Sequence, residues 1–385
     1  MAKWNRIWSA CLVFIGLAWL FFPKTFPWTT KVDEIGKRIL IQRPSVTPAL
    51  KKISHFPTVP KREKIQEKGK VPESPLSQLK ARMERVVQQC GEVCQTSQNR
   101  TRLIGHKYYN VVVKKFNCQQ LFDNNDMDGY ALFPTPPKRI PGFLRDGFTY
   151  QNRVQIRPSY RDDSKGKSHT LIWTEDKVAK LRSSLQRNQL QGSYGIGEVK
   201  NIQAHLRQHM NITDQHVLIV GSQSPWLEVI ALEAGAKRIT TLEYVPIESR
   251  HPQIKTIVPK DFARRFLNGT LGQFDAMMSF SSFEHSGLGR YGDGLNPYGD
   301  LITMARVWCV LRDGGMVLIG VPTGPDVLAF NSDKIYGPLI YSHLFANFEQ
   351  VFTKANISNY SHHCPHCYQP IHILRKNLTL FKGAI

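Results

Sequence analysis

Cysteine is scarce in this chain: there are seven among 385 residues. That density is far below that of a disulfide scaffold, so a hydrophobic core must hold the fold. The sequence also lacks the G-x-G-x-x-G and G-x-x-x-x-G-K-S/T patterns, so no cradle for a pyrophosphate or a triphosphate is expected. Charged residues make up 21% and hydrophobic residues 41%, which excludes a wholly disordered protein and suits one or two domains.

Acidic residues are in the minority. Lys and Arg number 51 and Asp and Glu 30, so the net charge is +21 and an acidic solvating protein is excluded. Residues 1–80 hold 15 basic and five acidic residues, which places +10 of this charge in the first fifth of the chain. The remainder is only mildly basic. The positive charge is the only feature that suggests nucleic-acid binding. We therefore do not expect a nucleic-acid partner.

One uncharged run, Ile7 to Phe22, follows Lys3 and Arg6. It is somewhat shorter than the about 20 residues of a spanning helix, but two aromatic residues shortly after it extend the apolar stretch. A cleaved signal peptide is the alternative, although no A-x-A cleavage pattern follows. We predict that residues 1–28 form a cytosolic tail and an uncleaved anchor helix. The positive-inside rule then places the rest of the chain in the lumen.

Acceptor sites for N-glycosylation support a lumenal location. The N-x-S/T pattern occurs at six positions, which are Asn99, Asn211, Asn268, Asn356, Asn359 and Asn377. The alternative is that these are unused sequences in the cytosol. We predict a single-pass protein of the Golgi or endoplasmic reticulum membrane, with a secreted protein as the second choice.

The chain divides into four parts by composition. After the anchor, residues 29–80 are rich in Pro and Lys and predict a semi-extended stem. Residues 81–190 predict an irregular N-terminal extension packed on the core. Residues 191–385 alternate short apolar runs with amphipathic segments, and a further helix is predicted near Tyr341 to Phe348. This alternation predicts an α/β fold with a doubly wound, mostly parallel sheet.

Ligands of such a sheet bind at the carboxyl ends of its strands. The first strand of the sheet, His216 to Val220, leads into Gly221, and the second ends in Glu243, twenty-two residues later. A carboxylate at this place can accept hydrogen bonds from both hydroxyls of a ribose. A buried turn glycine and a surface glutamate would explain the pair about equally well. Because phosphate cradles are missing, the predicted ligand is a nucleoside without phosphates, such as S-adenosylmethionine.

Two further segments supply candidates at the same edge. Asp261 and Phe262 follow the third strand and predict a carboxylate and an aromatic face for adenine, although a helix-capping Asp and a core Phe are equally ordinary. The loop over residues 279–300 is dense in polar, glycine and aromatic residues, which is typical of functional loops.

These segments resemble a known family. HVLIVGS, Glu243, SFSSFEH and LRDGGMVLIGVP follow one another as in class I S-adenosylmethionine-dependent methyltransferases. VGSQSPWLEVIALEAGA, TTLEY and SFSSFEHSGLGRYGDGLNPYGD resemble more closely the family of domain of unknown function 268, over roughly residues 194–376. The resemblance implies the methyltransferase-like fold, S-adenosylmethionine as cofactor, and a set of binding positions. These are Gly221, Ser222, Gln223 and Trp226 in the first loop, Glu243 and Tyr244 at the ribose, Asp261 and Phe262 at the adenine, and Ser281 on the sulfonium side.

Methyl transfer to a hydroxyl requires a base, and His285 is the best candidate because it titrates near neutrality. Glu284 or Asp293 would orient it, and Arg290 would hold an anionic acceptor. A glycan or glycoprotein hydroxyl is the first acceptor to consider in the lumen. The alternative function is an inactive, membrane-anchored binding module, which is favoured by the replacement of the usual glycines by Ser-Gln-Ser-Pro-Trp in the first loop. Trp226 would either crowd the cofactor or pack over it.

The cysteines after the predicted anchor indicate disulfides and no metal site. Cys364 and Cys367 stand among several histidines, which makes a zinc site conceivable, but an oxidising lumen favours disulfides. We expect Cys364 or Cys367 to pair within the group Cys90, Cys94 and Cys118, in an undetermined pattern. Cys309 lies on the apolar face of a predicted helix and is expected to be a buried free thiol.

Overall fold

The structure is a computed structural model that describes residues 74–97, 104–105, 110–129, 131–163, 170–354 and 369–378. Backbone contacts divide the chain into the units Met1–Gly69 and Lys70–Ile385. The first unit lies outside the described residues, and with it the predicted anchor and most of the predicted stem. Within the described ranges no helix is both long and apolar enough to cross a membrane.

The helices are α1 (Pro75–Cys90), α2 (Cys118–Asp123), α3 (Arg145–Phe148), α4 (Glu175–Gln186), α5 (Ile196–His209), α6 (Trp226–Glu233), α7 (Pro259–Leu267), α8 (Gly299–Val310) and α9 (Pro338–Leu344). The strands are β1 (Ile104–Gly105), β2 (Asn110–Val111), β3 (Gln155–Pro158), β4 (Leu171–Trp173), β5 (His216–Val220), β6 (Arg238–Leu242), β7 (Ile247–Ser249), β8 (Ile254–Ile257), β9 (Phe274–Phe280), β10 (Leu311–Gly320), β11 (Val327–Phe330), β12 (Asp333–Ile335), β13 (Phe348–Thr353) and β14 (Ile371–Lys376). A single-turn 3-10 helix, Asn125–Asp128, follows α2.

A seven-stranded sheet forms the centre, in the order β13-β14-β10-β9-β5-β6-β8. The five strands from β10 to β8 are parallel, whereas β14 is antiparallel to both of its neighbours. Side chains alternate along β5, so that Leu218 and Val220 enter one apolar cluster while Val217 and Ile219 enter the other. Burial on both faces explains the continuous apolar run in the sequence. The predicted α/β fold with a mostly parallel sheet is confirmed.

The segment before the sheet is part of the same unit. β3 pairs in parallel with β11, and β4 pairs in parallel with β7. Helix α2 packs on both α7 and α8, and the rings of Phe122 and Phe266 stack with their centroids 3.9 Å apart. The predicted extension, residues 81–190, therefore contributes strands and helices to the domain that it covers.

The chain just before β14 differs from the sequence prediction. The helix predicted near Tyr341 to Phe348 ends at Leu344 as α9, and Phe348 begins strand β13. Asn347 has a φ of 65°, a left-handed conformation that stops the helix and that Asn tolerates. The apolar spacing that suggested a longer helix continues into a strand that pairs with β14.

The described part of the chain contains two disulfides, whose pairing the sequence analysis left undetermined. Cys90 is bonded to Cys94, and Cys118 is bonded to Cys309. The expectation that Cys309 is a free thiol is therefore wrong, although its place on the inner side of α8 is as predicted. Cys118 begins α2, and the packing of α2 on α8 brings the two sulfur atoms together. Cys364 and Cys367 lie outside the described residues.

Candidate functional site

A cavity of about 250 Å³ lies at the carboxyl edge of the sheet. It lies where β5 is flanked by β6 on one side and β9 on the other, which is the point at which the strand order reverses. Residues that follow β5, β6 and β9, together with the start of α7, line it. Ser193, Tyr194 and Asp128 from earlier in the chain and Thr303, Arg306 and Val307 from α8 complete the wall.

Gly221 allows two loops to meet at the floor of the cavity. Its φ is +76°, and a Cβ placed there would lie 1.8 Å from Oγ of Ser282 in the loop after β9. Only glycine combines this backbone conformation with so close an approach. The sequence signal of a glycine at the end of the first sheet strand therefore has a physical cause here.

Glu243 connects the first two loops. Its Oε2 accepts a hydrogen bond from the backbone N–H of Ser222 at 3.0 Å, and its Oε1 accepts one from the N–H of Tyr244 at 2.9 Å. The carboxylate lines the cavity beside Gly221 and Ser222. Oε1 also accepts a longer hydrogen bond from the backbone N–H of Val245 at 3.5 Å.

Trp226 forms part of the wall and leaves the cavity open. The side chain lies at the start of α6 and is 4% exposed. Its ring is T-shaped to that of Phe280, with the centroids 6.1 Å apart, and tilted against that of Tyr194 at 6.2 Å. Gln223, the neighbouring first-loop residue, also lines the cavity from an exposed position.

Behind the first loop lies a carboxylate that sequence reasoning missed. Glu228 of α6 is fully buried and accepts hydrogen bonds from the hydroxyls of Ser222 at 3.0 Å and Thr241 at 2.8 Å. Burial raises its pKa to about 7. Glu228 thus holds Ser222, which stands where glycine is usual, in place. The sequence signal that could have indicated Glu228 is a glutamate within the apolar α6.

The two residues predicted to meet adenine separate in the structure. Phe262 of α7 lines the cavity and is 1% exposed. Asp261 does not line it, because its Oδ1 pairs with Nη2 of Arg264 at 2.9 Å and its side chain is about half exposed. Successive positions of a helix point in different directions, so only one of this pair can face the cavity.

The loop after β9 begins at Ser281, whose φ is 53°. Its hydroxyl donates to Oε1 of Glu284 at 2.5 Å and accepts from Nε2 of Gln369 at 3.1 Å. Glu284 is fully buried, and burial raises its pKa to about 8. Glu284 is therefore mostly protonated at neutral pH, so it does not supply a charge to orient a base.

His285 lines the cavity, with a fixed tautomer. Its Nδ1 donates to the carbonyl oxygen of Ser332 at 2.8 Å, which leaves Nε2 without a proton in the neutral ring. Nε2 lies 3.7 Å from Oε1 of Glu284. Burial lowers the pKa of the imidazole to about 4, so the expectation that His285 titrates near neutrality is wrong. The backbone of Ser332, and not a carboxylate, orients this histidine.

Asp293 and Arg290 hold the loop in shape. The carboxylate of Asp293 accepts from the backbone N–H groups of Gly287, Gly289 and Tyr291 and also lines the cavity. Arg290 does not line it, since its Nε donates to Oδ2 of Asp163 at 2.6 Å. The predicted anion-holding arginine thus joins the loop to the segment before the sheet.

An ion pair in the cavity wall has no counterpart in the sequence analysis. Nη1 of Arg306 lies 2.5 Å from Oδ1 of Asp128, and both side chains are more than nine-tenths buried. Nε and Nη2 of the same arginine donate to the carbonyl oxygen of Leu121. An arginine within the mostly apolar α8 was the available signal.

The balance of these groups gives the cavity an acidic lining. Asp128, Glu243 and Asp293 contribute carboxylates, whereas the only Lys or Arg among the lining residues is Arg306. Such a lining suits a cationic or neutral ligand and opposes a polyphosphate. Within the described residues no cluster of three His, Cys, Asp or Glu side chains is arranged to hold a metal ion.

Comparison with known families agrees with the sequence resemblance. Residues 214–367 match the family described as "Caenorhabditis protein of unknown function, DUF268", which confirms the resemblance over less than half of the chain. None of the curated proteins compared with this sequence matches it.

Among solved structures, similarities are distant. A candidate hemolysin from Streptococcus thermophilus is 14% identical with a TM-score of 0.32, covering 48% of this chain and 67% of that one. A candidate S-adenosylmethionine-dependent methyltransferase from Listeria monocytogenes is 11% identical with a TM-score of 0.29, covering 47% and 97%. The N-methyltransferase NodS from Bradyrhizobium japonicum is 11% identical with a TM-score of 0.29, covering 53% and 98%. The function of the chain therefore has to be argued from its own cavity.

Proposed function

We propose that this protein is an S-adenosylmethionine-dependent methyltransferase whose cofactor occupies the cavity at the carboxyl edge of the sheet. The observation that carries the proposal is the position of Glu243, a carboxylate that lines the cavity directly beside the tight turn at Gly221. A carboxylate at the end of the second strand of a doubly wound sheet is suited to the two hydroxyls of a ribose.

The chemistry of the lining fits this cofactor. S-adenosylmethionine carries a sulfonium cation and no phosphate, and three carboxylates against one guanidinium favour a positive ligand. Glu243 would hold the ribose, Phe262 would pack on the adenine, and Gly221 and Ser222 would adjoin the methionine part. When bound, the cofactor supplies an electrophilic methyl group.

His285 is the residue that would accept the proton of an acceptor hydroxyl. The bond from Nδ1 to Ser332 keeps Nε2 unprotonated, and the lowered pKa keeps the ring neutral over the whole physiological range. Neutral Nε2 would then accept a hydrogen bond from the acceptor hydroxyl and take its proton.

A glycan or glycoprotein hydroxyl is the acceptor that we propose. Tyr194 is 45% exposed at the edge of the cavity, and Tyr291 is T-shaped to His285 with the ring centroids 5.2 Å apart. Both tyrosines line the cavity that His285 lines, and aromatic side chains of this kind line many sites for neutral organic ligands.

The lumenal, membrane-anchored location remains part of the proposal. The two disulfides favour an oxidising compartment. Asn211 and Asn268 are exposed after the ends of α5 and α7, where an oligosaccharide has room. Expression in animal cells tests this point: the chain should lose mass on treatment with peptide N-glycosidase, and Asn268→Gln should remove one such increment. A chain of unchanged mass would contradict the location.

Calorimetric titration of the full chain with S-adenosylmethionine tests the cofactor. We expect saturable binding that Glu243→Ala weakens at least tenfold, because the carboxylate proposed to accept hydrogen bonds from the ribose is lost. Glu248→Ala is the matched control, since this glutamate lies on β7, pairs with Arg250 and does not line the cavity. No binding to a folded wild-type chain would overturn the enzyme proposal. It would favour the alternative, a binding module that retains the fold alone.

A further inference from the structure

Part of the cavity forms an apolar slot. Leu242, Pro259, Phe262 and Val307 line it, and they come from β6, α7 and α8. Apolar walls contributed by separate elements on either side suit a flat heteroaromatic ring. An apolar slot alone does not distinguish one ring from another, so specificity has to come from polar groups at its edge.

Asp128 is such a group. It ends the turn Asn125–Asp128, which packs against α7, and it pairs with Arg306, the neighbour of Val307 on α8. It therefore lies at the slot side of the cavity that it lines. The residue is 8% exposed.

The two oxygens of this carboxylate have different surroundings. Oδ1 accepts from Arg306, whose other bonds go to the carbonyl oxygen of Leu121. Oδ2 is buried and has no hydrogen-bond partner among the described residues. A buried charged acceptor without a partner costs free energy, so a ligand that donates a hydrogen bond to it gains affinity.

The structure points to a purine amine as that donor, and we propose that Asp128 accepts a hydrogen bond from the exocyclic amino group of adenine. The proposal rests on the proposed cofactor and adds a specificity-determining residue from outside the family match at residues 214–367. A carboxylate can only accept, so it favours adenine, which carries an amino group at this position, over hypoxanthine, which carries a carbonyl oxygen.

The test compares two ligands that differ at one group, S-adenosylhomocysteine and S-inosylhomocysteine, by calorimetric titration of the full chain. The wild type should bind the adenine compound about 10- to 100-fold more tightly, as sites built to pair with a polar group reject analogues that lack it. Asp128→Asn presents an amide that donates to the carbonyl of hypoxanthine. The preference should then fall to near one or reverse.

The matched control is Asp126→Asn. Asp126 belongs to the same turn, pairs with Arg85 and does not line the cavity, so this variant should keep the wild-type preference. Because the readout is a ratio of two affinities in one protein, a general loss of stability does not imitate the effect.

Each outcome decides a different point. A wild type that binds both ligands equally overturns the role of Asp128, and this result does not require Asp128→Asn to fold. An Asp128→Asn variant that keeps the wild-type preference also overturns it. A wild type that binds neither ligand overturns the cofactor itself, and with it this inference.

Discussion

The hydroxyl of Ser281 donates to Oε1 of Glu284 across 2.5 Å, inside a region where the carboxyl group has no contact with water. The pair lies at the end of β9, where the loop over the cavity begins. A neutral carboxyl group is the form that this environment favours, because ionisation there would leave a buried charge. The protonation of Glu284 is therefore linked to the stability of the fold.

We predict that Glu284→Gln stabilises the protein and that the gain increases with pH. Burial raises the pKa of Glu284 from its ordinary 4.5 to about 8, so the folded state holds a proton that the unfolded state releases. Stability from this group is complete below pH 4.5 and is lost as pH rises through 8. The melting temperature of the variant should decline less steeply with pH than that of the wild type. The corresponding slope of unfolding free energy against pH should differ by about one proton.

Glu228 contributes a similar dependence, since burial raises its pKa to about 7. The stability of the Glu284→Gln variant therefore still declines with pH, but less steeply than that of the wild type. Glu248→Gln, at an exposed position of β7, should leave the wild-type curve unchanged. An equal slope in wild type and Glu284→Gln would show that Glu284 is ionised in the fold.

His285 gives the second prediction. Titration of His285 should not change the rate of methyl transfer between pH 6 and pH 8, because the pKa of His285 is lowered to about 4 and its Nε2 stays unprotonated. His285→Gln should reduce kcat about 100- to 10,000-fold and change the affinity for S-adenosylhomocysteine little. The measurement is steady-state kinetics beside calorimetric titration, with His251→Gln, outside the cavity, as control. A rate that declines below pH 6.5 would contradict the lowered pKa.

Gly221→Ala should destabilise the fold and abolish cofactor binding. The added Cβ meets the left-handed backbone penalty of about 1–2 kcal/mol and, in addition, the side chain of Ser282 at 1.8 Å. Gly272→Ala separates the two effects, since Gly272 has a φ of +75° and open space around its Cβ. Chemical denaturation should show a larger loss for Gly221→Ala. Equal losses would mean that the two loops do not meet as described.

Removal of the two disulfides should have unequal effects. The bond from Cys118 to Cys309 closes a separation of 191 residues, whereas the bond from Cys90 to Cys94 closes a separation of four. Loop-closure entropy of the unfolded chain grows with separation. Replacing Cys118 and Cys309 together by Ser should cost about 2–5 kcal/mol of unfolding free energy, and replacing the other pair less. The reverse order in denaturant titrations would refute this account.

Elements with local signals were predictable from the sequence. Helix α7 spans Pro259–Leu267, as the stretch PKDFARRFL predicts, because Pro suits the first turn and the apolar positions recur at helical spacing. Helix α4 begins after Thr174, whose hydroxyl accepts from the N–H of Lys177. Six of the seven strands of the central sheet, all except β13, were equally visible as apolar runs.

Relationships between distant residues were not predictable. Asp128 and Arg306 are 178 positions apart, and nothing in the sequence around Asp128 marks it as part of a cavity. Cys309 has the apolar neighbours expected of a buried thiol, and only the packing of α2 on α8 shows its partner. Similarly, Asp261 and Phe262 are adjacent in sequence, yet helix geometry turns only the latter inward.

The bridge between Cys118 and Cys309 lies close in sequence to the ion pair in the cavity wall. Asp128 follows the first cysteine by one helix and one turn, and Arg306 precedes the second by three residues. The disulfide therefore fastens α8, which carries Arg306, to α2, which leads into the turn that carries Asp128. Formation of the cystine thus fixes one wall of the cavity and also contributes to thermal resistance.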